Sequence, residues 1–282
     1  MKLHLVFLIL ALLFLNTSCS KEKEKISIIE EESLEMQMIK AYNEGLDYLE
    51  KGDPIYASKK FNEAELLYPQ SIWAPRAALM ASYTYFSFLY YSDAVIELEK
   101  FLSKYKNHPR RDYAYYLLAL SHYDQIVDET KDLNEILRAK KYFEIILQKY
   151  PNTEFAIDSE YKLELIEEIL ASKEMYLARY YVDREKWIPA INRFRKIVDN
   201  YDTTIYAQEA LHRLVEVHYT IGLIDEAEKY AQLLGYNYQS SKWYENSYSL
   251  FDKTYKKRKK ERFKTYKKKS GGLIKKFKTL LE

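Results

Sequence analysis

The stretch MIKAYNEGLDYLEKGDPIYASKKFNEAELLYP, residues 38–69, decides the fold. Counted from Met38, it puts Gly45, Tyr48, Ala57, Phe61, Ala64 and Pro69 at positions 8, 11, 20, 24, 27 and 32. Small residues at 8, 20 and 27 let two antiparallel helices approach closely, the rings at 11 and 24 fill the seam, and the proline stops the second helix. The same series returns along the chain. Ser82, Tyr85, Ala94, Leu98 and Phe101 precede Asn107-His108-Pro109, and Ala119, Ala139, Phe143 and Ile146 precede Tyr150-Pro151. Ala178, Tyr181, Ala190, Phe194 and Ile197 form a fourth copy, and Val215, His218, Ala227 and Leu234 a fifth, whose turn is marked by Gly222. The second-helix alanines at 57, 94, 139, 190 and 227 are spaced 37, 45, 51 and 37 residues apart, so the copies are irregular. Ala119 and Ala139 are 20 apart where Gly45 and Ala57 are 12 apart, which predicts an eight-residue insertion around 128–134. A long helical pattern from about Asp158 leads into the fourth copy.

This spacing resembles the tetratricopeptide (TPR) repeat. It predicts an all-α protein, a right-handed TPR-type α-solenoid of about five helix-pair repeats over residues 37–251, in which each unit buries its apolar face only by stacking on its neighbours. Composition agrees. Of 282 residues 48% are hydrophobic and 30% charged, enough for a packed interior, while 6 Gly and 6 Pro argue against a loop-rich β fold.

The N-terminus reads as an export signal over residues 1–18. Met1-Lys2 leads a thirteen-residue, almost wholly apolar run from Leu3 to Leu15, then Asn16, Thr17 and Ser18. Such a run reaches roughly 20 Å as a helix, short of the ~30 Å hydrocarbon core, so a cleaved signal fits better than a permanent span. The only cysteine, Cys19, follows at once, before the hydrophilic Ser20-Lys21-Glu22-Lys23-Glu24-Lys25. It resembles the lipidated cysteine of bacterial lipoproteins, although Asn16 stands where a leucine is usual. The resemblance implies acyl chains such as palmitate on Cys19. Two or three chains at about 0.8 kcal/mol per buried CH₂ hold a protein on a bilayer. Ser20, in place of Asp, points by the same resemblance to the outer membrane. Residues 19–36 read as a flexible tether. With a single cysteine there is no intrachain disulfide.

Longer strings carry a more specific resemblance. They run from Tyr56-Ala57 to Tyr68-Pro69, from Asn107-His108-Pro109 into Tyr113-Ala114-Tyr115-Tyr116, and from Ala139-Lys140-Lys141-Tyr142-Phe143 to Tyr150-Pro151-Asn152-Thr153. Ala178-Arg179-Tyr180-Tyr181, Ala190-Ile191-Asn192-Arg193, Leu234-Gly235-Tyr236-Asn237-Tyr238 and Ser241-Lys242-Trp243-Tyr244 follow. Together with the lipoprotein start, these resemble the outer-membrane assembly lipoproteins of the BamD (YfiO) family, in an α-proteobacterial form. The resemblance implies a scaffold on the periplasmic face of the outer membrane that binds the POTRA domains of BamA, other lipoproteins of the BAM complex, and unfolded outer-membrane β-barrel proteins. It makes Arg193 the residue on the side that meets BamA, where a guanidinium offers a bidentate fork to a carboxylate. Clients would enter along first-helix positions of the first two repeats: Tyr42, Leu46, Leu49, Arg76, Leu79, Tyr83 and Phe86. Aromatic rings with a cation suit an extended peptide ending in an aromatic residue and a carboxylate, while ordinary interhelix packing is the competing account of the same stripe. A different periplasmic TPR adaptor, serving cell-wall enzymes or the Tol system, stays open as the alternative function.

Catalytic chemistry finds no footing. His108, His122, His212 and His218 form no H-E-x-x-H and have no further cysteine to complete a zinc set, and no P-loop, G-x-G-x-x-G or G-x-S-x-G occurs. No cofactor, metal or nucleic-acid partner is expected. Charge is unevenly spread: residues 252–282 hold 14 Lys/Arg against 3 Asp/Glu, which leaves the preceding chain at −9. Within this basic C-terminal tail, after Ser270-Gly271-Gly272, the residues Leu273, Ile274, Phe277, Leu280 and Leu281 form an apolar stripe at helical spacing, interleaved with Lys275, Lys276 and Lys278. A solvated tail and contact with anionic lipid or an acidic partner are both consistent with it.

Overall fold

The computed structural model describes residues 32–126 and 133–252, with 254 and 261. Cys19, the signal, most of the tether and nearly all of the basic tail lie outside the described residues, as does the middle of the insertion around 128–134. Among the described residues there are eleven helices and no strand: α1 (Leu34–Glu50), α2 (Pro54–Leu67), α3 (Ala74–Ser87), α4 (Tyr91–Lys104), α5 (Arg111–Tyr123), α6 (Asn134–Lys149), α7 (Glu154–Val182), α8 (Trp187–Asn200), α9 (Tyr206–Thr220), α10 (Ile224–Asn237) and α11 (Lys242–Phe251). They form the five expected pairs, with α11 packed on the last.

Seam positions occupy the interior as the repeat demands. Ala57, Ala94, Ala139, Ala190 and Ala227 are wholly buried, as are Phe61, Leu98, Phe143 and Phe194 one turn on and Ala64, Ile146, Ile197 and Leu234 beyond them. Gly45 shows why the first helix needs a small residue there. A methyl group at its Cα would lie 2.8 Å from two carbons of the Phe61 ring, so α1 and α2 touch backbone to ring. Apolar contact is continuous between repeats. One cluster joins α3, α4 and α5 through Ala78, Leu98 and Leu117, the next joins α5, α6 and α7 through Ala119, Phe143 and Ile166, and a third joins α7, α8 and α9 through Met175, Phe194 and Leu214.

The turns inside the first, second, fourth and fifth repeats follow one plan. Gly52 and Gly222 take positive φ, and Leu89 (φ 65°) and Glu185 (φ 56°) occupy the equivalent places. In each, the next N–H donates to the carbonyl five residues back at 2.9 Å: Asp53 to Tyr48, Tyr90 to Tyr85, Lys186 to Tyr181, Leu223 to His218. This closes the first helix through a left-handed residue. The second helices share a different terminator: the residue capping each C-terminus is a tyrosine, Tyr68, Tyr105, Tyr150, Tyr201 or Tyr238.

The 51-residue interval before Ala190 is explained by α7, 29 residues long. Its first half packs through Ala156, Ile166 and Leu170 on the third repeat, and its second half, Ala171 to Ala178, is the first helix of the fourth. The helical pattern starts at Glu154, slightly ahead of the expected 158. The 14 residues beyond the usual 37 are about four helical turns, so the excess is taken up as continuous helix rather than as a loop.

Candidate binding surfaces

Of the residues expected to receive a client, Tyr42 stands edge-on to Phe61 at 5.2 Å and to Trp73 at 5.7 Å. Leu46 and Leu49 pack on Ala57, Phe61 and Ala81, while Leu79 and Phe86 pack on the cluster around Leu98. These five are partly buried and hold repeats together. Arg76 and Tyr83 are exposed. Arg76 lies over the Trp73 indole, 4.9 Å from its centroid, a cation–π contact.

The structure adds neighbours that the repeat template did not nominate. Burial, then the charges of Arg76 and Arg110, pushes the His108 imidazole below its ordinary pKa, with Asp112 opposing. Burial and the nearby Tyr83 raise Tyr113, which Arg110 opposes. Burial likewise raises Tyr42 against the Arg76 charge. Arg76, Arg110, Tyr42, Tyr83, His108 and Tyr113 are thus one electrostatic neighbourhood across α1, α3, the turn after α4 and the start of α5. Neither arginine forms an ion pair among the described residues. The Tyr113 ring leads on to Phe155 at 5.5 Å, at the start of α7. The first two repeats and the start of the third therefore carry an aromatic band with two arginines outside any ion pair and one carboxylate, Asp112, near them, a net positive field that attracts a carboxylate. Of this neighbourhood the sequence had nominated Tyr42, Arg76 and Tyr83; His108, Arg110 and Tyr113 join them only through the fold.

Arg193 sits in the fourth repeat, on α8. Its Nη1 donates to Glu174 Oε2 at 2.8 Å, and Lys196 Nζ donates to the other oxygen at 2.6 Å. Glu174 is buried. Burial opposes its ionisation, yet the two hydrogen bonds outweigh it and hold the carboxyl below the ordinary range. Arg193 thus has an internal partner, while its side chain keeps 37% of its exposure. With Tyr181, Ile188, Pro189, Asn192 and Lys196 it lines a surface recess of about 360 Å³. Ile188, 64% exposed, is the apolar rim of that recess.

The histidines serve the framework. His122 and His218 occupy the seam position where Tyr48, Tyr85 and Tyr181 stand in the other repeats. His122 Nδ1 meets Glu135 Oε2 at 2.6 Å and stacks on Tyr142; His218 Nδ1 meets the Leu214 carbonyl at 2.7 Å. His212 lies between Ser247 Oγ (2.8 Å) and Glu216 Oε1 (3.2 Å), the residue types of a hydrolytic triad. Ser247 is wholly buried against α9, so the set joins α11 to the solenoid and gives a substrate no access. No group of three metal-ligating side chains occurs among the described residues, and no helix among them is long and apolar enough to cross a membrane.

Stacked helix pairs, an unpaired cationic band near one end and a recess near the other define a TPR-type α-solenoid whose chemistry is carried on its surfaces. The chain belongs to the YfiO family of outer membrane lipoproteins, whose model matches residues 34–233. It is 42% identical over 209 residues to the outer membrane protein assembly factor BamD of Rickettsia prowazekii, covering 74% of this chain and 83% of the relative. It is 35% identical over 232 residues to the assembly factor BamD of Caulobacter vibrioides, covering 82% and 75%. Among solved structures, MamA aligns over 71% of this chain and 91% of its own at 18% identity, with a TM-score of 0.36, too slight a likeness to build on.

Proposed function

We propose that the protein is a lipid-anchored scaffold of the β-barrel assembly machinery, held at the periplasmic face of the outer membrane through Cys19, that binds BamA and other BAM lipoproteins and receives unfolded outer-membrane proteins. The observation that carries this reading is the 42% identity to an assembly factor of that name over 83% of its length. Its mechanism is binding and positioning without covalent chemistry. The band around Arg76 and Arg110 suits the end of a client chain: an aromatic residue stacks on Trp73 or Tyr113 while the terminal carboxylate meets the guanidinia. The recess around Ile188 and Arg193 suits a POTRA domain that offers a carboxylate and a small apolar contact.

Detergent-solubilised pull-down of the tagged protein from its native envelope tests the reading. Because Arg193→Glu would also set a second carboxylate against buried Glu174, the informative variant is Ile188→Asp, on the same recess and outside that ion pair. BamA is expected in stoichiometric amount with the parent chain and much reduced with Ile188→Asp. BamA retained equally by Ile188→Asp would place the docking side elsewhere. Its absence from both lanes would return the chain to the broader class of periplasmic TPR adaptors.

A further inference from the structure

The aromatic stripe does not end with the second repeat. Counted from Asp112, first-helix positions 2, 5 and 12 of the third repeat are Tyr113, Tyr116 and Tyr123, where the first two repeats set Arg76, Tyr42 and Phe86. The rings continue onto α7: the Phe155 centroid lies 5.5 Å from that of Tyr113 and 4.9 Å from that of Tyr116, and Tyr161, farther along α7, is 58% exposed. Charge changes sign along this track. Arg110 stands just before α5 and Asp124 just after it, so each adds to the axial field of the helix, positive at its start and negative at its end. Asp158 accepts from the Tyr116 hydroxyl at 2.8 Å and Asp124 from the Tyr91 hydroxyl at 3.3 Å, so both carboxylates are held by neutral groups. They act as one pole. Burial raises the Tyr116 pKa, and Asp158, Asp124 and Tyr113 add to it; burial raises that of Tyr123, and Asp124, Tyr161 and Asp158 add to it. Asp112 opposes the two arginines at the first pole, and Lys162, 4.5 Å over the Tyr123 ring, opposes the two carboxylates at the second, which leaves each pole its sign. Farther along, charges on the first helices are paired internally, Arg179 with Glu209 at 2.7 Å and Arg213 with Glu216 at 2.6 Å.

We infer that this track is a directional seat for an extended peptide: its C-terminal carboxylate lies at Arg76 and Arg110, its rings lie along Tyr113, Phe155 and Tyr116, and a basic side chain about six residues before its end meets Asp124 and Asp158. The register follows from length. The helical path from Arg110 to Asp124 is about 21 Å at 1.5 Å per residue, and an extended chain covers that in about six residues at roughly 3.4 Å each. Charge at both poles selects the occupant and its direction. A peptide antiparallel to α5, anionic at its end and cationic upstream, satisfies both; the reverse orientation sets like charges together at each pole, and a peptide acidic throughout satisfies only the first. The inference rests on the proposed reception of clients by the first repeats, and adds to it a third repeat, a polarity and a register.

Fluorescence anisotropy with the full chain in detergent tests it, using N-terminally labelled heptapeptides that share a C-terminal phenylalanine and carry either lysine or glutamate as the first residue. The lysine peptide is expected to bind about five- to tenfold tighter than the glutamate peptide, and to lose that advantage when the lysine is moved to the fourth position. Asp124→Asn with Asp158→Asn should abolish the preference, and Asp124→Lys with Asp158→Asn should reverse it, a reversal that a purely structural role for these carboxylates would not produce. Asp124 is exposed, so the fold tolerates its change. Lysine and glutamate peptides that bind the parent chain equally, while amidation of the C-terminus still weakens both, would overturn the directional seat and leave the client reading standing. Peptides that do not bind, or that bind equally well when amidated, would remove the client site from the first repeats and this inference with it.

Discussion

Replacing Gly45 by alanine sets two effects of known sign against each other. Alanine inside a helix is favoured over glycine by about 0.8–1.0 kcal/mol, so on propensity alone the variant is the more stable protein. Against that, its methyl group would sit 2.8 Å from two Phe61 ring carbons. Phe61 is wholly buried and held edge-on by Tyr42, so it has no solvent side to turn into. Overpacking of a closed core costs about 1–3 kcal/mol. The difference leaves Gly45→Ala about 1 kcal/mol less stable, a fall of roughly 2–4 °C in Tm for a chain of this class. Thermal and urea unfolding followed at 222 nm measure it. Phe61→Leu gives the ring's space back, so in the double variant the methyl group should cost less, with a coupling of about 0.5–2 kcal/mol. Gly235 provides the control: a methyl there also meets a ring carbon, of Tyr244, at 2.8 Å, but that tyrosine is only partly buried, so the penalty should be smaller. A Gly45→Ala protein more stable than the parent would refute the close-approach argument.

The other expectations are briefer. Leu89→Gly should stabilise the chain by about 0.5–1 kcal/mol, since a left-handed leucine costs about 1–2 kcal/mol and glycine gives part of that back in the unfolded state; Leu89 is 69% exposed, so little burial is lost, and a lower urea midpoint would contradict this. Glu174→Gln should cost about 1–3 kcal/mol through its two charged hydrogen bonds. Because the folded Glu174 carboxyl is held below its ordinary value, its contribution is fully present above the unfolded pKa of about 4.3 and is lost as pH falls through the folded value, so the parent and variant urea midpoints should converge in acid. Ser247→Ala should loosen α11 by about 1 kcal/mol, read as faster hydrogen exchange in residues 242–251 than in α2. Arg76→Glu with Arg110→Glu should weaken binding of a peptide with a C-terminal phenylalanine by at least about tenfold, and its amidated form should bind the parent chain no better than the variant.

Repeat phase was legible because it rests on side-chain volume. Gly45, Ala57 and Ala64 read as small where only small residues fit, and that pattern survives intervals of 37, 45 and 51 residues. The structural use of tyrosine was not legible. High tyrosine content invites an explanation from genome composition, yet Tyr68, Tyr105, Tyr150, Tyr201 and Tyr238 terminate all five second helices at the same intervals as the anchor alanines. The groove candidates were legible only as a stripe. Rings at helical spacing look alike whether they face a neighbour or solvent, and the tertiary contacts of Tyr42, Leu46, Leu49, Leu79 and Phe86 assign most of their surface to packing. Arg193 was visible as a cation, but its pairing with Glu174, 19 residues earlier on another helix, depends on how α7 crosses α8. The electrostatic link among Arg76, His108 and Arg110 likewise joins separate repeats that no local pattern connects.

A helix of 29 residues is a strut about 44 Å long. Since α7 begins in the core of the third repeat and finishes in that of the fourth, the joint between the two halves of the molecule is a girder where the other joints are short elbows. The cationic band and the Arg193 recess are consequently held at a gauge set by a count of residues, and a load applied to one half is delivered to the other as tilt. Such a gauge is adjustable only in helical steps: seven inserted residues would part the halves by about 10 Å with roughly 20° of rotation, whereas three would swing one end about 60° around the strut.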